Sequence, residues 1–276
     1  MTVLFLDVLV LDESYPSRLL VYKARRLRLV TGNWSLHAQF EEWDVTFKEM
    51  FYKFGVRPFQ MLLTPICFLI CLYAAFCYGL IYAALDSFKF VFQEGRGWNP
   101  LVGSLPFLAI LIGLIMGGAV NILNNNYHYN RRFITNGEKV VPEARLPPMM
   151  LGSVFLPAGL FIFGWTGAKE HPWVESCIGA VIVGFGFFTI FQSSTNYLVD
   201  TFPRYSASAV AVQTFMRSIF AAVFPLFIHP IYNAMGIDWA TSVFGFFAVA
   251  LVPIPFLFYV YGPKIRAKGK YSTNTE

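Results

Sequence analysis

The sequence predicts an all-α membrane protein with about six spanning helices, and three observations predict it. Of its 276 residues, 56% are hydrophobic and only 13% charged, against roughly 25% charged in soluble globular chains. The mean hydropathy is +0.54, and thirty residues are Phe. Apolar stretches of about 20 residues recur, the length a helix needs to cross a hydrocarbon core of roughly 30 Å. Together these exclude a soluble globular fold.

The formal charge of +5 does not point to nucleic acid, because no basic stripe is interleaved with stacking aromatics on a soluble module. Charge flanking a membrane explains it instead. Cys67, Cys71 and Cys77 share one apolar segment and Cys177 lies in another, where thiols act as small hydrophobes and not as a disulfide framework.

Residues 1–11, MTVLFLDVLVL, are apolar but too short to span, and they lack the basic region and cleavage site of a signal peptide. They read as the stump of a preceding span. Ser17 to Val30 alternates basic and apolar residues at helical spacing, with Arg18, Lys23, Arg25, Arg26 and Arg28 as cations, which suits a helix lying on an anionic leaflet. A second amphipathic stretch places Leu36, Phe40, Trp43, Phe47, Met50 and Phe54 at steps of three or four. Residues 12–61 are therefore expected to form a cytoplasmic surface linker, which either anchors a flank or regulates.

Hydrophobic periodicity then separates six helices over 62–261: residues 62–85, 100–121, 146–166, 173–199, 206–235 and 237–261. Turn and breaker residues stand between them at Asn99-Pro100, Pro142, His171-Pro172, Pro203 and Gly236. If the first span leaves the cytoplasm, segments 12–61, 122–145, 200–205 and 262–276 are cytoplasmic and hold 17 Lys and Arg. The other side holds Lys89, Arg96 and Lys169 alone. That asymmetry predicts both termini in the cytoplasm, with residues 262–276 as a basic tail. The sequon Asn33-Trp34-Ser35 should then carry no glycan.

Small residues four apart, such as Gly113 with Gly117, Ala180 with Gly184, Ala207 with Ala211 and Ser218 with Ala222, permit close helix approach, in static packing or at a moving interface. Pro225 and Pro230 interrupt the fifth span, and Pro253 and Pro255 the sixth.

No catalytic constellation emerges. The four His are scattered without metal-ligand spacing, there is no phosphate-cradling Gly-rich loop with Lys, and no GxSxG elbow. The sequence therefore predicts neither an enzyme, nor a metal site, nor a cofactor. Asp86, Asp200 and Asp238 all fall at helix ends. Arg217 is the exception to explain, since eleven residues from Ser206 place it roughly 16 Å deep, where a cation is costly unless paired or hydrated. It either faces the bundle interior or snorkels as an anchor. Gln192, Asn196 and Gln213 are the other deep polar groups, suited to helix-to-helix hydrogen bonds or to substrate contact. Tyr73, Tyr78 and Tyr82 give the first span a face of rings with polar tips, suited to lipid, core or a binding wall.

Several strings carry a family resemblance: VVPEARLPPMM (Val140 to Met150), RGWNP with GSLPFLA (Arg96 to Pro100, Gly103 to Ala109), and NYLVDTFPRYSASAVA (Asn196 to Ala211) followed by Arg217-Ser218 and FPLF (Phe224 to Phe227). The chain resembles, over nearly all its length, the fungal drug:proton antiporter branch of the major facilitator superfamily. The resemblance implies that residues 62–261 are helices seven to twelve of a twelve-helix transporter, residues 12–61 the central linker, and the first residues the end of helix six. An inverted three-plus-three arrangement is likewise implied by the family. Gly117 to Arg132 looks like a weakened copy of the family's loop motif, keeping Asn130-Arg131-Arg132 without an acidic residue. The cytoplasmic gate candidates are Arg131, Arg132, Arg145 and Asp200.

The expected function is outward transport of small amphipathic organic compounds, coupled to protons, by the carboxy-terminal half of a secondary transporter in the plasma membrane. Its partners would be lipid, a small organic substrate, protons and an amino-terminal half, with no nucleic acid. The substrate-cavity candidates are Arg217, Gln192, Asn196, Gln213, Tyr73 and Tyr78. A truncated, transport-inactive fragment and a membrane scaffold are the alternatives.

Overall fold

The computed structural model describes residues 16–38, 41 and 51–267, in two compact units, residues 1–55 and 56–276. The proposed stump at 1–11 and most of the second amphipathic stretch lie outside the described residues. In the first unit the basic, apolar alternation forms helix α1 (Pro16–Thr31). Arg28 and Arg25 both reach Glu41 beyond its end, Arg25 at 3.7 Å. The sequon is a tight turn in which the Asn33 side-chain oxygen accepts from the Ser35 backbone N–H at 3.1 Å.

The second unit is an up-and-down helical bundle, with no strand among the described residues. The short α2 (Arg57–Leu62) leads into α3 (Pro65–Phe88), which starts on a proline whose missing N–H costs nothing in a first turn. After α4 (Pro100–Gly103), capped by the Asn99 side chain, α5 (Phe107–Leu123) runs back, and α6 (Asn130–Thr135) extends it through a widened turn at Asn124–Tyr129. Then follow α7 (Pro147–Trp165), α8 (Trp173–Thr201), α9 (Ser206–Leu251) and α10 (Pro253–Ala267). Among the described residues six helices are long and apolar enough to cross a membrane.

Breaks fall mostly where the sequence puts them. Gly236 adopts φ 76°, a left-handed conformation open to glycine, and divides α9 into two spans where one unbroken helix would be twice too long. Helix α9 continues through Pro225 and Pro230, whereas the last span does break, restarting at Pro253. Elsewhere helix replaces expected loop. The first span continues in widened turns to Gly95, and the stretch after residue 121 is helical as far as Thr135. Polar residues such as Asn124 to Asn126 remain compatible with helix once the chain leaves hydrocarbon, which hydropathy alone cannot show. Helix α10 likewise persists into the expected tail, to Ala267.

Helix α8 is the central element, packed on α5, α7 and α3, while α9 packs on α3 and α7. Glycine makes one of these contacts possible. A Cβ on Gly113 would lie 2.1 Å from the Val181 carbonyl oxygen, and one on Gly184 2.6 Å from that of Ile110, so α5 and α8 meet backbone to backbone. On α9, by contrast, Ala207, Ala211, Ser218 and Ala222 are exposed, as are Phe215 and Ile219. On that face Phe215 meets the Phe59 ring of α2 edge-on at 5.5 Å, while the small residues stay open.

Candidate functional site

Two polar clusters stand out, one midway along the helices and one at the end of the bundle where α6, α7, α8 and α10 come together. The first centres on Arg217, eleven residues into α9. Its guanidinium carbon lies 5.2 Å from the Tyr78 ring centroid and 5.3 Å from that of Phe191. Tyr78 is itself 5.2 Å from Tyr82 and 5.9 Å from Phe187, and Phe187 stacks on Phe191 at 5.8 Å. Helices α3 and α8 thus present ring faces to the cation, whose negative quadrupoles attract it by about 0.5 to 2 kcal/mol each. Arg217 has no hydrogen bond or ion pair to any described residue, and no described carboxylate neutralises it.

The remaining candidates from the sequence divide. Gln213 is buried and joins α9 to α8, donating to the Ser194 hydroxyl and accepting from Thr195, each at 3.1 Å. Gln192 donates to the Asn196 side chain one turn on, at 3.4 Å, and both remain half-buried. Tyr73 stands apart from the cluster at 1% exposure, in the core with Cys77 and Ser153 beside it. Phe187 and Phe191 were not singled out from sequence, since two among thirty Phe carry no distinguishing signal.

The second cluster is organised by a single turn of 3-10 helix, Pro142–Arg145. Arg145 donates from Nε to Asp200 at 2.8 Å and also to the Asn125 side-chain oxygen, and its guanidinium carbon sits 3.5 Å over the Tyr129 ring. The turn's backbone is held as well, with Asn124 donating to the Ala144 carbonyl at 3.1 Å. Glu143 pairs with Arg266 of α10 at 2.8 Å, both side chains 7% exposed. Arg132 donates to the Tyr259 hydroxyl at 3.1 Å, while the Arg131 side chain is exposed and without a partner among the described residues. Of the gate candidates, then, Arg145 and Asp200 touch and the other two do not join them. Glu143 and Arg266 escaped the sequence reading because the first lay in an assumed loop and the second in an assumed free tail.

At the opposite end Arg96 turns its guanidinium onto three carbonyls, those of His171 at 2.8 Å, Ala168 at 3.0 Å and Thr166 at 3.3 Å. It thereby holds together the loop that follows α7, from the cap residue Thr166 to His171. Among the described residues no group of His, Cys, Asp or Glu could hold a metal ion.

Comparison with known proteins gives one consistent picture. The family model described as Major Facilitator Superfamily matches residues 2–225. The efflux pump bik6 of Gibberella fujikuroi is 52% identical over 269 residues, which are 97% of this chain and 55% of that protein. A citrinin biosynthesis cluster MFS transporter of Monascus purpureus is 40% identical over 266 residues, 96% of this chain and 51% of its own length. An uncharacterized MFS-type transporter of Schizosaccharomyces pombe is 40% identical over 263 residues, covering 94% and 50%. The chain spans about half the length of the curated relatives it matches. No solved structure matches it.

Proposed function

Because this chain belongs to the major facilitator superfamily, as a six-helix half of that membrane fold, we propose that it forms the carboxy-terminal half of a proton-coupled exporter of small amphipathic organic compounds. The observation that carries this reading is Arg217, a cation midway along the span Pro203–Ile228, flanked by ring faces and without a countercharge among the described residues. A cation so placed is costly unless an anion or water reaches it. In the facilitator scheme substrate sits near the midplane between two halves that rock about it. Arg217, Gln192, Asn196 and Tyr78 supply a charge, amide groups and ring surface for an amphipathic molecule. Gln213 and Tyr73 support that wall from behind, by holding α9 to α8 and by filling the core.

Arginine keeps its proton, so Arg217 does not carry one across. As a fixed charge it lowers the pKa of any carboxylate brought near it and biases that group toward proton release. The exposed small-residue face of α9 fits an amino-terminal half packed against it. Residues 12–61 serve as the cytoplasmic linker between halves, with both termini cytoplasmic, and export at the plasma membrane agrees with the efflux named for the Gibberella fujikuroi relative. Arg145 and Asp200, paired at 2.8 Å, belong to the cytoplasmic gate, which Arg131 and Arg132 do not join.

The test is reconstitution. The 276-residue chain alone in proteoliposomes is expected to give no saturable flux under a proton gradient, and co-reconstitution with the amino-terminal half of a relative should restore it. Saturable, gradient-dependent flux from the chain by itself would contradict the division into two halves.

A further inference from the structure

A hollow of about 690 Å³ lies beside α6, apart from the Arg217 cluster. Its lining follows two helical stripes, Tyr127, Arg131 and Thr135 on one and His128, Arg132 and Asn136 on the other. Among the described residues no carboxylate lines it. Arg132 is steadied by the Tyr259 hydroxyl, yet its guanidinium retains further N–H groups, and the Arg131 side chain has no partner among the described residues. The His128 Nε2 also lacks a hydrogen-bond partner but is buried, so it does not face a ligand in the hollow. The Thr135 hydroxyl and the Asn136 amide are already engaged with the carbonyls of Arg131 and Lys139. The free donors are therefore the two arginines and Tyr127.

Position along the helix says what could meet them. Helix α5 from Phe107 to Leu123 is the apolar part, 17 residues or roughly 26 Å, close to the hydrocarbon thickness. Arg131 comes eight residues later, about 12 Å farther at 1.5 Å per residue, in the polar zone where lipid phosphates lie. A concave site of adjacent guanidiniums with no acidic wall matches the tetrahedral, multiply accepting oxygens of phosphate better than a lone carboxylate, because arginine forks bind phosphate in pairs of hydrogen bonds.

We propose that this hollow binds a phosphate group, presented by the headgroup of an anionic phospholipid in the leaflet beside α6. The lipid source is favoured because the site sits at headgroup depth on the outside of one half, and basic pockets beside spans on the cation-rich side commonly take such headgroups. The site is complete within this chain and does not depend on the transport reading.

The experiment uses the 276-residue chain in phosphatidylcholine nanodiscs, titrated separately with dioctanoyl phosphatidic acid and with inorganic phosphate. Saturable binding is expected, weakened tenfold or more by Arg131→Gln combined with Arg132→Gln, a change of about 1.4 kcal/mol. Lys89→Gln with Lys169→Gln removes the same charge at the opposite end and should leave affinity unchanged. Arg131→Gln alone, which loses no contact, gives a smaller weakening in a chain whose fold is undisturbed. Binding of phosphatidic acid without inorganic phosphate assigns the site to lipid, and binding of inorganic phosphate assigns it to a soluble phosphate instead. Binding of neither probe, or weakening by the lysine pair equal to that by the arginine pair, overturns the proposal.

Discussion

Glu143 and Arg145, two residues apart in one turn, pair in opposite directions: Glu143 with Arg266 of α10 at 2.8 Å, and Arg145 with Asp200 of α8 at 2.8 Å. A single short turn thus ties α8 to α10. The pairs differ in burial, at 7% exposure for both Glu143 and Arg266 against 19% and 14% for Arg145 and Asp200. Removing one partner of the deeper pair strands a charge where water cannot reach it, whereas solvent screens part of the loss in the shallower one.

Glu143→Gln should therefore destabilise the folded chain by about 3 kcal/mol or more, through the uncompensated Arg266. Arg145→Gln should cost less. Thermal unfolding in one detergent checks the order, and Glu143→Gln joined to Arg266→Met should recover most of the loss.

Backbone contact between α5 and α8 gives a second expectation. Gly113→Ala puts a methyl 2.1 Å from the Val181 carbonyl, so the helices must separate, and unfolding should become easier by roughly 2 kcal/mol. Gly118→Ala, whose new methyl would meet Phe188 at 3.6 Å, should stay within about 0.5 kcal/mol of the parent.

The proposed orientation is checked at the sequon. Asn33 should carry no glycan in the native chain, while a sequon introduced between residues 89 and 99 should be modified, as read by the mobility shift on enzymatic deglycosylation. The reverse pattern would invert the topology.

How far the sequence could be read depended on the kind of signal. Spans are written in long apolar runs, and the breaks at Gly236 and Pro253 fall on residues that favour one, although Pro225 and Pro230 stay inside helix, so the bundle was legible. Arg217 was legible too, because a lone cation in an apolar run is rare. Its ring partners were not: Tyr78 and Phe191 lie more than one hundred residues apart, and only packing of α3, α8 and α9 brings Tyr78 and Phe191 to Arg217. The helical extension to Thr135 and the burial of Arg266 were missed because polar sequence at a membrane surface looks alike in helix and loop.

The most direct measurement is proton-gradient-driven flux in a complete transporter carrying this half, with expression in the membrane quantified alongside. Arg217→Gln should reduce flux by about 30-fold or more, corresponding to roughly 2 kcal/mol or more for a lost charge contact in a desolvated site. Insertion should be unaffected. Arg217→Lys, which keeps the charge but loses the planar group that lies against two rings, should retain part of the activity. Normal flux in Arg217→Gln, or a loss that merely follows lower membrane abundance, would make Arg217 an anchor and contradict its assignment to the transport cavity.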